Sequence, residues 1–300
     1  MNKVSFVILH YMAIKDTIEC VESILNNIDY NNYNIIIVDN NSSNNSGIEL
    51  QQRYLNNKNI YVILSKTNLG FAKGNNLGYI YAKNELKSDF IILINNDTII
   101  NQSNFIDLAI GTFNRTHYYV LGPDIISMQG NLLHQNPQRI KGLTKKEVKE
   151  LIKILDYGYI KLYLQYIMHI QFIIKILKKM FRGMLHKDNQ VNNKNENLIT
   201  EELENIQLHG ACIILSNLYI KYFDYAFFPE TYMYMEEDIL YYLCMQNNFK
   251  TIYNPKMKIF HKEDVSTDSV INSDIKKSIF IFKHSRNSAR ILYRLMKQNI

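Results

Sequence analysis

The sequence has only three cysteines, Cys20, Cys212 and Cys244, and they lie far apart. Their number is odd and no CxxC pair occurs. This pattern argues against a disulfide framework and against a zinc site. A reducing cytoplasm is therefore the expected location.

Long hydrophobic runs are also missing. No stretch reaches the roughly 18 uncharged apolar residues of a membrane-spanning helix. The first apolar run, residues 4–9, is too short for a secretory signal and ends at His10. The sequence therefore predicts neither a spanning helix nor a secretory signal.

A strong charge excess is absent as well. Lys and Arg number 34 against 28 Asp and Glu, which gives a net charge of +6 over 300 residues. An anionic substrate or an anionic membrane surface would suit this modest excess equally well. The basic residues gather on the central and final helices and do not alternate with aromatic residues on one face, so no nucleic-acid partner is expected.

Strand and helix patterns alternate through the first hundred residues. Short, branched, apolar runs predict four strands, at residues 4–9, 35–38, 60–64 and 90–94. The patterns between them predict three helices: one that begins with a capping box formed by Asp16 and Glu19, a second over 47–54 and a third over 75–86. Short connections between such elements predict an α/β fold with a mainly parallel sheet covered on both sides.

The composition changes after about residue 140. A long helical pattern runs over 145–182, and its centre, residues 162–174, carries no formal charge apart from His169. This segment is too short to cross a bilayer and fits an interfacial or buried position. Docking on a membrane surface and packing on the sheet or on a second subunit, as in a homodimer, both remain open.

A globular pattern returns near residue 209. It predicts a strand over 211–215, a helix over 239–245, two extended pieces on either side of Pro255 and a basic helix over 275–297. We therefore divide the chain into a first α/β half (1–140), a helical insertion (141–200), a second globular half (201–270) and a final basic helix (271–300).

Polar residues follow two of the predicted strands. Asn95, Asn96 and Asp97 come directly after the fourth strand, and Asp39 ends the second. Ligands of open α/β sheets bind beyond the carboxyl ends of the strands. At these strand ends Asp97 could hold a metal, and Asp39 could bind a nucleobase or ribose. A simple turn and a helix cap are the competing interpretations.

Residues 68–76 read NLGFAKGNN and combine glycines with Lys73 just before a helix. A helix N-terminus with a nearby lysine favours anions. The segment matches neither GxxxxGK[ST] nor GxGxxG. It is predicted to be an anion-binding loop, with a plain loop as the alternative.

Three adjacent acids, Glu236, Glu237 and Asp238, follow the aromatic-rich stretch 227–235. Acids at a helix start are partly explained by the helix dipole. A carboxylate among aromatic residues would also have a raised pKa and could serve as a general base. His261 comes later, and a lone histidine is more often structural than a ligand.

Taken in order, these segments resemble the inverting GT-A-fold glycosyltransferases of family 2, especially bacterial rhamnosyltransferase-like members. The resemblance covers about residues 3–125 and 207–290. It is carried by VSFVIL at 4–9, IVDNNS at 37–42, NLGFA at 68–72, GNN at 74–76, NNDT at 95–98, HGA at 209–211, EED at 236–238 and RN at 286–287.

The resemblance implies a dTDP- or UDP-sugar donor and a divalent metal, with the nucleotide-sugar bound by residues 1–140 and the acceptor and the catalytic base in residues 201–270. Asp39 would read the base. Asp97 would bind the metal in the family's DxD element, and His261 would complete the metal shell. Residues expected to contact the donor are Leu9, His10, Asp39, Asn41, Asn68, Gly70, Lys73, Asn75, Asn96, His209 and Gly210.

The first Asp of DxD is Asn95 in this sequence. The single carboxylate of Asp97 implies weak metal affinity unless the donor diphosphate adds its own charge. An imidazole among oxygen ligands fits Mn²⁺ better than Mg²⁺, although either could be used.

The resemblance also implies the reaction. A carboxylate of the acid triplet would deprotonate an acceptor hydroxyl, which displaces the nucleoside diphosphate in one inverting step. Asp238 is the first choice for the base and Glu237 the second, with Glu236 positioning them. L-rhamnose is the first guess for the sugar, and a growing, lipid-linked surface polysaccharide of capsule or O-antigen type is the expected acceptor. The protein would then work in the cytoplasm, peripheral to the inner face of the cell membrane.

Three other classes compete with this interpretation. A non-catalytic glycan-binding relative would be expected to lack the acids Asp97, Glu237 and Asp238, which are present here. A sugar nucleotidyltransferase would need a glycine-rich basic loop after the first strand, where residues 10–13 read HYMA. A nucleic-acid binder would need the basic and aromatic face noted above.

Overall fold

The computed structural model describes residues 1–129, 133–167, 199–263 and 274–298. Its centre is a nine-stranded sheet in the order β3-β2-β1-β4-β8-β6-β9-β5, with β7 paired to β9. Strands β1 to β4 pair in parallel, β8 runs antiparallel to both neighbours, and β6 and β9 pair in parallel. The strands are β1 (Val4–His10), β2 (Tyr33–Asp39), β3 (Ile60–Leu64), β4 (Phe90–Asn95), β5 (Thr98–Ile99), β6 (Val120–Ser127), β7 (Leu203–Glu204), β8 (Cys212–Leu215) and β9 (Thr251–His261).

Helices cover both faces of the sheet, as the sequence predicts. Side chains alternate along each strand, so Phe6 and Ile8 of β1 face one hydrophobic core and Val7 faces the other. The first core includes residues of α1 and α4, and the second includes residues of α3, α6, α7 and α8. The helices are α1 (Ile14–Asn27), α2 (Ser46–Arg53), α3 (Gly70–Asn84), α4 (Phe105–Thr116), α5 (Lys145–Ile167), α6 (Asn217–Tyr222), α7 (Glu236–Gln246) and α8 (Asp274–Gln298).

Three local predictions are wrong. The capping box fails because α1 already begins at Ile14, and Asp16 and Glu19 instead bind the ammonium group of Lys262. The segment 68–76, which the sequence predicts to be a loop, is largely helical because α3 begins at Gly70. The two pieces around Pro255 form one strand whose register with β6 shifts there, since proline has no N–H to give to the ladder.

The described part of the helical insertion packs on the final helix. Phe282 of α8 lies directly against Gly158 of α5, where even a Cβ atom would be 2.2 Å from the ring. The Arg286 guanidinium lies 4.2 Å from the centre of the Tyr159 ring, and Arg290 binds Asp156 at 2.7 Å. Residues 168–182 of the predicted helix lie outside the described residues. Among the residues that are described, no helix is both long and apolar enough to cross a membrane.

Candidate active site

A cavity of about 610 Å³ opens where β1 and β4 end. This volume lies within the usual range for small-molecule sites. Ten of the predicted site residues line it: Leu9, Asn68, Asn96, Asp97, His209, Gly210, Glu236, Glu237, Asp238 and His261. Residues from opposite ends of the sequence therefore meet in one place.

Strand pairing brings Asp97 and His261 together. Thr98 of β5 is the register partner of His261 in β9, and the Lys262 amide donates to the Asp97 carbonyl at 2.9 Å. The His261 Nε2 atom then lies 3.3 Å from the Asp97 Oδ1 atom, and both residues are buried but line the cavity. The turn at the end of β4 and the end of β9 thus present one carboxylate and one imidazole at the same point.

This pair has the chemistry and spacing of two metal ligands. Two donors in neighbouring positions of an octahedral shell of about 2.1 Å radius lie about 3 Å apart. Carboxylate oxygen with imidazole nitrogen suits Mn²⁺ among the hard or borderline cations. Within the described residues, no group of three or more His, Cys, Asp or Glu side chains is arranged to hold a metal. The pair fits a divalent cation whose remaining ligands come from elsewhere.

His209 lies beside this pair and is held neutral. Its ring centre lies 5.9 Å from that of His261, and its Nδ1 atom accepts the Ala211 amide at 3.2 Å. Burial lowers the pKa of His209 to about 4, and the neighbouring His261 contributes in the same direction. With Nδ1 used as an acceptor, the ring proton of the neutral form is on Nε2.

The acid triplet forms the first turn of α7, which begins at Glu236. Tyr234 and Met235 have φ angles of 72° and 65°, and this left-handed turn directs the chain into the helix. Burial raises the pKa of both Glu236 and Glu237, and each negative neighbour raises it further. The Oε1 atom of Glu236 is buried without a hydrogen-bond partner among the described residues.

Glu237 and Asp238 differ in their partners. Glu237 is half-buried and rests against Gly210, where a Cβ atom would lie 2.0 Å from the Glu237 Oε1 atom. Asp238 is ion-paired with Arg139 at 2.5 Å. Burial raises the pKa of Asp238, but Arg139 opposes that rise. Among the described residues, Asp238 thus has an ion-pair partner that Glu237 lacks, which makes Glu237 a candidate for the base beside Asp238.

A hydrogen-bonded amide network shapes another part of the wall. The Asn40 side chain donates to Asn68 at 3.1 Å and accepts the Leu69 amide at 2.8 Å. The Tyr232 hydroxyl donates to the same Asn68 oxygen at 3.1 Å. Gly70 has a φ angle of 77° and passes so close to the Tyr232 carbonyl that a Cβ atom would lie 2.3 Å from its oxygen. This network connects the start of α3 to the aromatic stretch before α7.

Six predicted donor contacts do not line the cavity, His10 and Asp39 among them. His10 is buried, and its ring nitrogens contact Thr17 and Ser46 at 2.7 Å each. Burial lowers the pKa of His10 to about 4. Asp39 is buried and accepts the Ser42 amide at 3.3 Å. His10 supports the site from behind, because Thr17 also accepts a hydrogen bond from Asn96 at 3.0 Å.

The other four lie away from the cavity for local reasons. Asn41 and Lys73 are exposed on the surface. Gly70 packs against Tyr232, and the buried Asn75 side chain donates to the Phe71 carbonyl of its own helix at 3.0 Å. Their roles as donor contacts remain predictions that this cavity does not support.

The sequence interpretation missed residues 133–139, here called the site strap. Its side chains contact four separate parts of the site and its surroundings. Gln135 contacts His261 at 2.8 Å, Asn136 accepts the His209 amide at 3.0 Å, and Arg139 binds Asp238. His134 contacts the buried Asp124 at 2.8 Å. The only local signal is a run of five polar side chains around Pro137. Other lining residues not predicted as site contacts include Tyr11, Asn40, Phe71, Gln138, Tyr232, Met233, Tyr234, Met235 and Phe280.

The family follows from comparison with known proteins. The family model described as Glycosyl transferase family 2 matches residues 5–172, more than half of the chain. The chain belongs to this glycosyltransferase family. It is also similar to the low-salt glycan biosynthesis hexosyltransferase Agl10 of Haloferax volcanii, with 26% identity over 137 residues. That match covers 46% of this chain and 41% of Agl10, so the chain matches about two fifths of this relative's length.

Solved structures of TarS from S. aureus share the fold of this family 2 chain. TarS 1-349 gives a TM-score of 0.53 at 14% identity, covering 98% of this chain and 71% of that one. The same TarS fragment in complex with UDP-GlcNAc gives a TM-score of 0.54 at 15% identity, and the match covers 99% of this chain and 72% of the TarS chain. The predictions of family 2, of a GT-A α/β fold and of a glycosyltransferase are confirmed.

Proposed function

We propose that the protein transfers a sugar from a nucleoside-diphosphate donor to a hydroxyl of a glycan acceptor, with inversion at the anomeric carbon. One observation carries the proposal. The Asp97–His261 pair and the raised-pKa carboxylate of Glu237 line the same cavity. The similarity to structures of TarS in complex with UDP and with UDP-GlcNAc supports a nucleotide-sugar donor.

Asp97 and His261 would hold a divalent cation, Mn²⁺ or Mg²⁺. When bound, this cation would neutralise the charge that develops on the leaving diphosphate. The chain supplies one carboxylate and one neutral ligand at this point, so the donor's phosphate oxygens would have to complete the shell. We therefore expect weak metal binding in the absence of nucleotide.

Glu237 is the proposed base. Its raised pKa lets it take a proton from an acceptor hydroxyl near neutral pH. The hydroxyl oxygen then forms a bond to the anomeric carbon while the bond to the diphosphate oxygen breaks. The attack comes from the side opposite the leaving group, so one displacement inverts that centre. The unpartnered Glu236 oxygen is available to accept a hydrogen bond from a sugar hydroxyl.

The donor is a dTDP- or UDP-sugar in this proposal, with L-rhamnose as the first sugar to test and a capsule- or O-antigen-type glycan as the acceptor. The role of Agl10 in low-salt glycan biosynthesis is consistent with a glycan acceptor. Asp39, His10, Asn41, Gly70, Lys73 and Asn75 do not line the cavity, so their contacts with the donor stay predictions.

The direct test is a panel of dTDP- and UDP-sugars assayed for transfer and hydrolysis, with and without Mn²⁺. We expect turnover of at least one donor, stimulated by Mn²⁺, and its loss in D97N, which keeps the side-chain shape but not the charge. If D97N turns over the same donor at the wild-type rate, the proposed site is wrong. Nucleotide binding without any turnover would instead favour a non-catalytic relative.

We also propose contact with an anionic membrane surface through α5. Its large apolar side chains include Tyr157, Ile160 and Ile167, which are exposed, and the exposed Lys153 and Lys161 lie on the same helix. An apolar face flanked by lysines suits an anionic lipid surface. Residues 175–182, which the sequence suggests would contribute further basic charge, lie outside the described residues.

Vesicles of phosphatidylglycerol and phosphatidylcholine test this contact. Y157E/I160E is expected to reduce co-sedimentation with the anionic vesicles and to leave turnover of a soluble acceptor unchanged. Unchanged co-sedimentation would refute the contact, and a change in oligomeric state in place of vesicle binding would identify the face as a homodimer interface. Charge reversal of Lys175, Lys178, Lys179 and Arg182 is the companion variant.

A further inference from the structure

Beside the cavity, a chain of hydrogen bonds runs from a carboxylate through an amide to the imidazole of His261. The Gln135 Nε2 atom donates to the Glu263 Oε1 atom at 2.7 Å. The Gln135 Oε1 atom lies 2.8 Å from the His261 Nδ1 atom. The opposite ring nitrogen, Nε2, lies 3.3 Å from the Asp97 Oδ1 atom. Glu263, Gln135 and His261 are called the relay below.

The direction of the hydrogen bonds in the relay follows from what each group can do. An ionised carboxylate only accepts hydrogen bonds, so the NH₂ group of Gln135 must face Glu263. The carbonyl oxygen of Gln135 then faces His261 and can only accept. This acceptor favours the imidazole proton on Nδ1, and the lone pair of Nε2 is then available to a cation held beside Asp97. Through Gln135, Glu263 thus favours one tautomer of a ring that it does not contact.

Backbone contacts hold the two ends of the relay in place. The Gln135 amide donates to the Ile125 carbonyl of β6 at 2.8 Å. The Gln129 side chain donates to the Lys262 carbonyl at 2.9 Å and to the Glu263 carbonyl at 3.2 Å. Glu263 has a φ angle of 64°, so its backbone adopts a left-handed turn. The relay is therefore built from the site strap and from the turn that follows β9.

We propose that Gln135 and Glu263 are positioning residues that keep His261 in its Nδ1–H tautomer, with Nε2 free to bind a divalent cation beside Asp97. This inference rests on the proposed function in one respect, namely that Asp97 and His261 hold the cation. Partners that orient a ligating histidine commonly change metal affinity by about 10- to 100-fold when they are removed. Without the relay, the ring could place its proton on Nε2 and donate it to Asp97, which would occupy both ligands.

The tautomer is measured first, in metal-free protein labelled with ¹⁵N-histidine, at a pH where the ¹⁵N signals show a singly protonated ring. H261N assigns the signals of His261. Wild type is expected to show Nδ1–H. E263Q preserves the shape of the side chain but lets the Gln135 amide turn either way, so it should show a mixture of tautomers. Nε2–H in the wild type, or unmixed Nδ1–H in E263Q, would overturn the relay.

The swapped variant Q135E/E263Q supplies the matched control. Its new carboxylate can accept from both the His261 Nδ1–H group and the amide of residue 263, so every hydrogen bond is rebuilt. We expect this variant to recover Nδ1–H. A mixed tautomer in a folded Q135E/E263Q protein would contradict the assigned direction of the hydrogen bonds.

Metal affinity is measured second, by titrating Mn²⁺ into protein saturated with UDP. Q135L should weaken Mn²⁺ binding by about 10- to 100-fold, and Q135E/E263Q should recover most of the loss. UDP binding without Mn²⁺ should be the same in all variants. If Q135L and E263Q both bind Mn²⁺ as tightly as the wild type, Gln135 and Glu263 are not positioning residues.

The two measurements separate failure of the relay from failure of the proposed function. A wild-type protein that binds no Mn²⁺ in the presence of UDP would refute both the metal site and the positioning role. A wild-type protein that binds Mn²⁺ with His261 in the Nε2–H form would refute the relay alone. If Q135L does not fold, as judged by thermal unfolding, E263Q and the swapped variant still decide the question.

Discussion

The two walls of the cavity are built in different ways. The donor wall, formed by Leu9, Asn40, Asn68 and residues 95–97, comes from the first hundred residues and follows the ends of parallel strands. The base wall, formed by residues 209–211, 232–238 and 261 with the site strap behind it, comes from segments far apart in the chain. Backbone pairing positions the first wall, whereas long-range side-chain hydrogen bonds position much of the second. A single substitution should therefore disturb the base wall more easily than the donor wall.

The largest effect is expected for E237Q. Loss of a general base costs about 10²- to 10⁴-fold in rate, and we expect kcat to fall by that factor with the KM for the donor almost unchanged. D238N is the comparison variant, and it should lose less because Asp238 is ion-paired with Arg139. Steady-state kinetics with the best donor of the panel measures both. A larger loss in D238N would return the base assignment to Asp238.

The pH dependence should identify the same group. Burial and the neighbouring Asp238 raise the pKa of Glu237, so the base form is lost as the pH falls through that raised value. We expect kcat/KM to decline on the acid side at a pH well above the ordinary range of a glutamate. An acid limb at the pH of an ordinary, exposed carboxyl group would contradict the assignment of Glu237.

G210A tests how tightly the base wall is packed. A Cβ atom at residue 210 would lie 2.0 Å from the Glu237 Oε1 atom, so the carboxylate must move. Misplacing a reacting group by about 1 Å can cost about 10²-fold in rate, and kcat should fall accordingly. G111A is the matched control, because no atom lies within 4 Å of its new Cβ atom. Equal activity of the two variants would show that Glu237 need not be held there.

N76A breaks a connection between the two parts of the fold. The buried Asn76 side chain donates to the Phe227 carbonyl at 2.7 Å and accepts the amides of Ala226 and Phe227 at 2.9 Å each. Leaving such groups unpaired costs about 1–3 kcal/mol each, so the free energy of unfolding should fall by about 2–5 kcal/mol. N75A is the control and should lose about 1 kcal/mol, because Asn75 donates only within its own helix. Urea denaturation compares them, and equal losses would refute this account.

The smallest effect concerns the contribution to stability of His10, which lies behind the donor wall. Burial lowers the pKa of His10 from 6.5 to about 4. The folded protein therefore binds fewer protons than the unfolded chain between these values, and stability is lost as the pH falls from 6.5 toward 4. The contribution of His10 is at most about 1.4 kcal/mol per pH unit. H10Q should reduce the slope of the free energy of unfolding against pH in this range. Part of the slope should remain, because burial lowers the pKa of His209 as well. An unchanged slope in H10Q would exclude His10 as a source.

The difference between the donor wall and the base wall also explains which site residues could be predicted from the sequence. Asp97 follows a buried strand, and the ends of such strands are where open sheets bind ligands, so its position was predictable. The positions of Gln135 and Arg139 depend on contacts with residues 126 and 99 positions away. No local pattern encodes those contacts. The capping box at Asp16 failed for a related reason, because Lys262 from the far end of the chain binds both acids.

The most direct test of the central claim is Mn²⁺ binding, followed by electron paramagnetic resonance, with and without UDP. The chain offers one carboxylate and one imidazole, so the nucleotide's phosphates should tighten binding by about tenfold or more, within the usual range of coupling between ligands. D97N should abolish this UDP-dependent gain. Equal Mn²⁺ affinity with and without UDP, or a full gain in D97N, would contradict the claim that Asp97 and the donor together hold the metal.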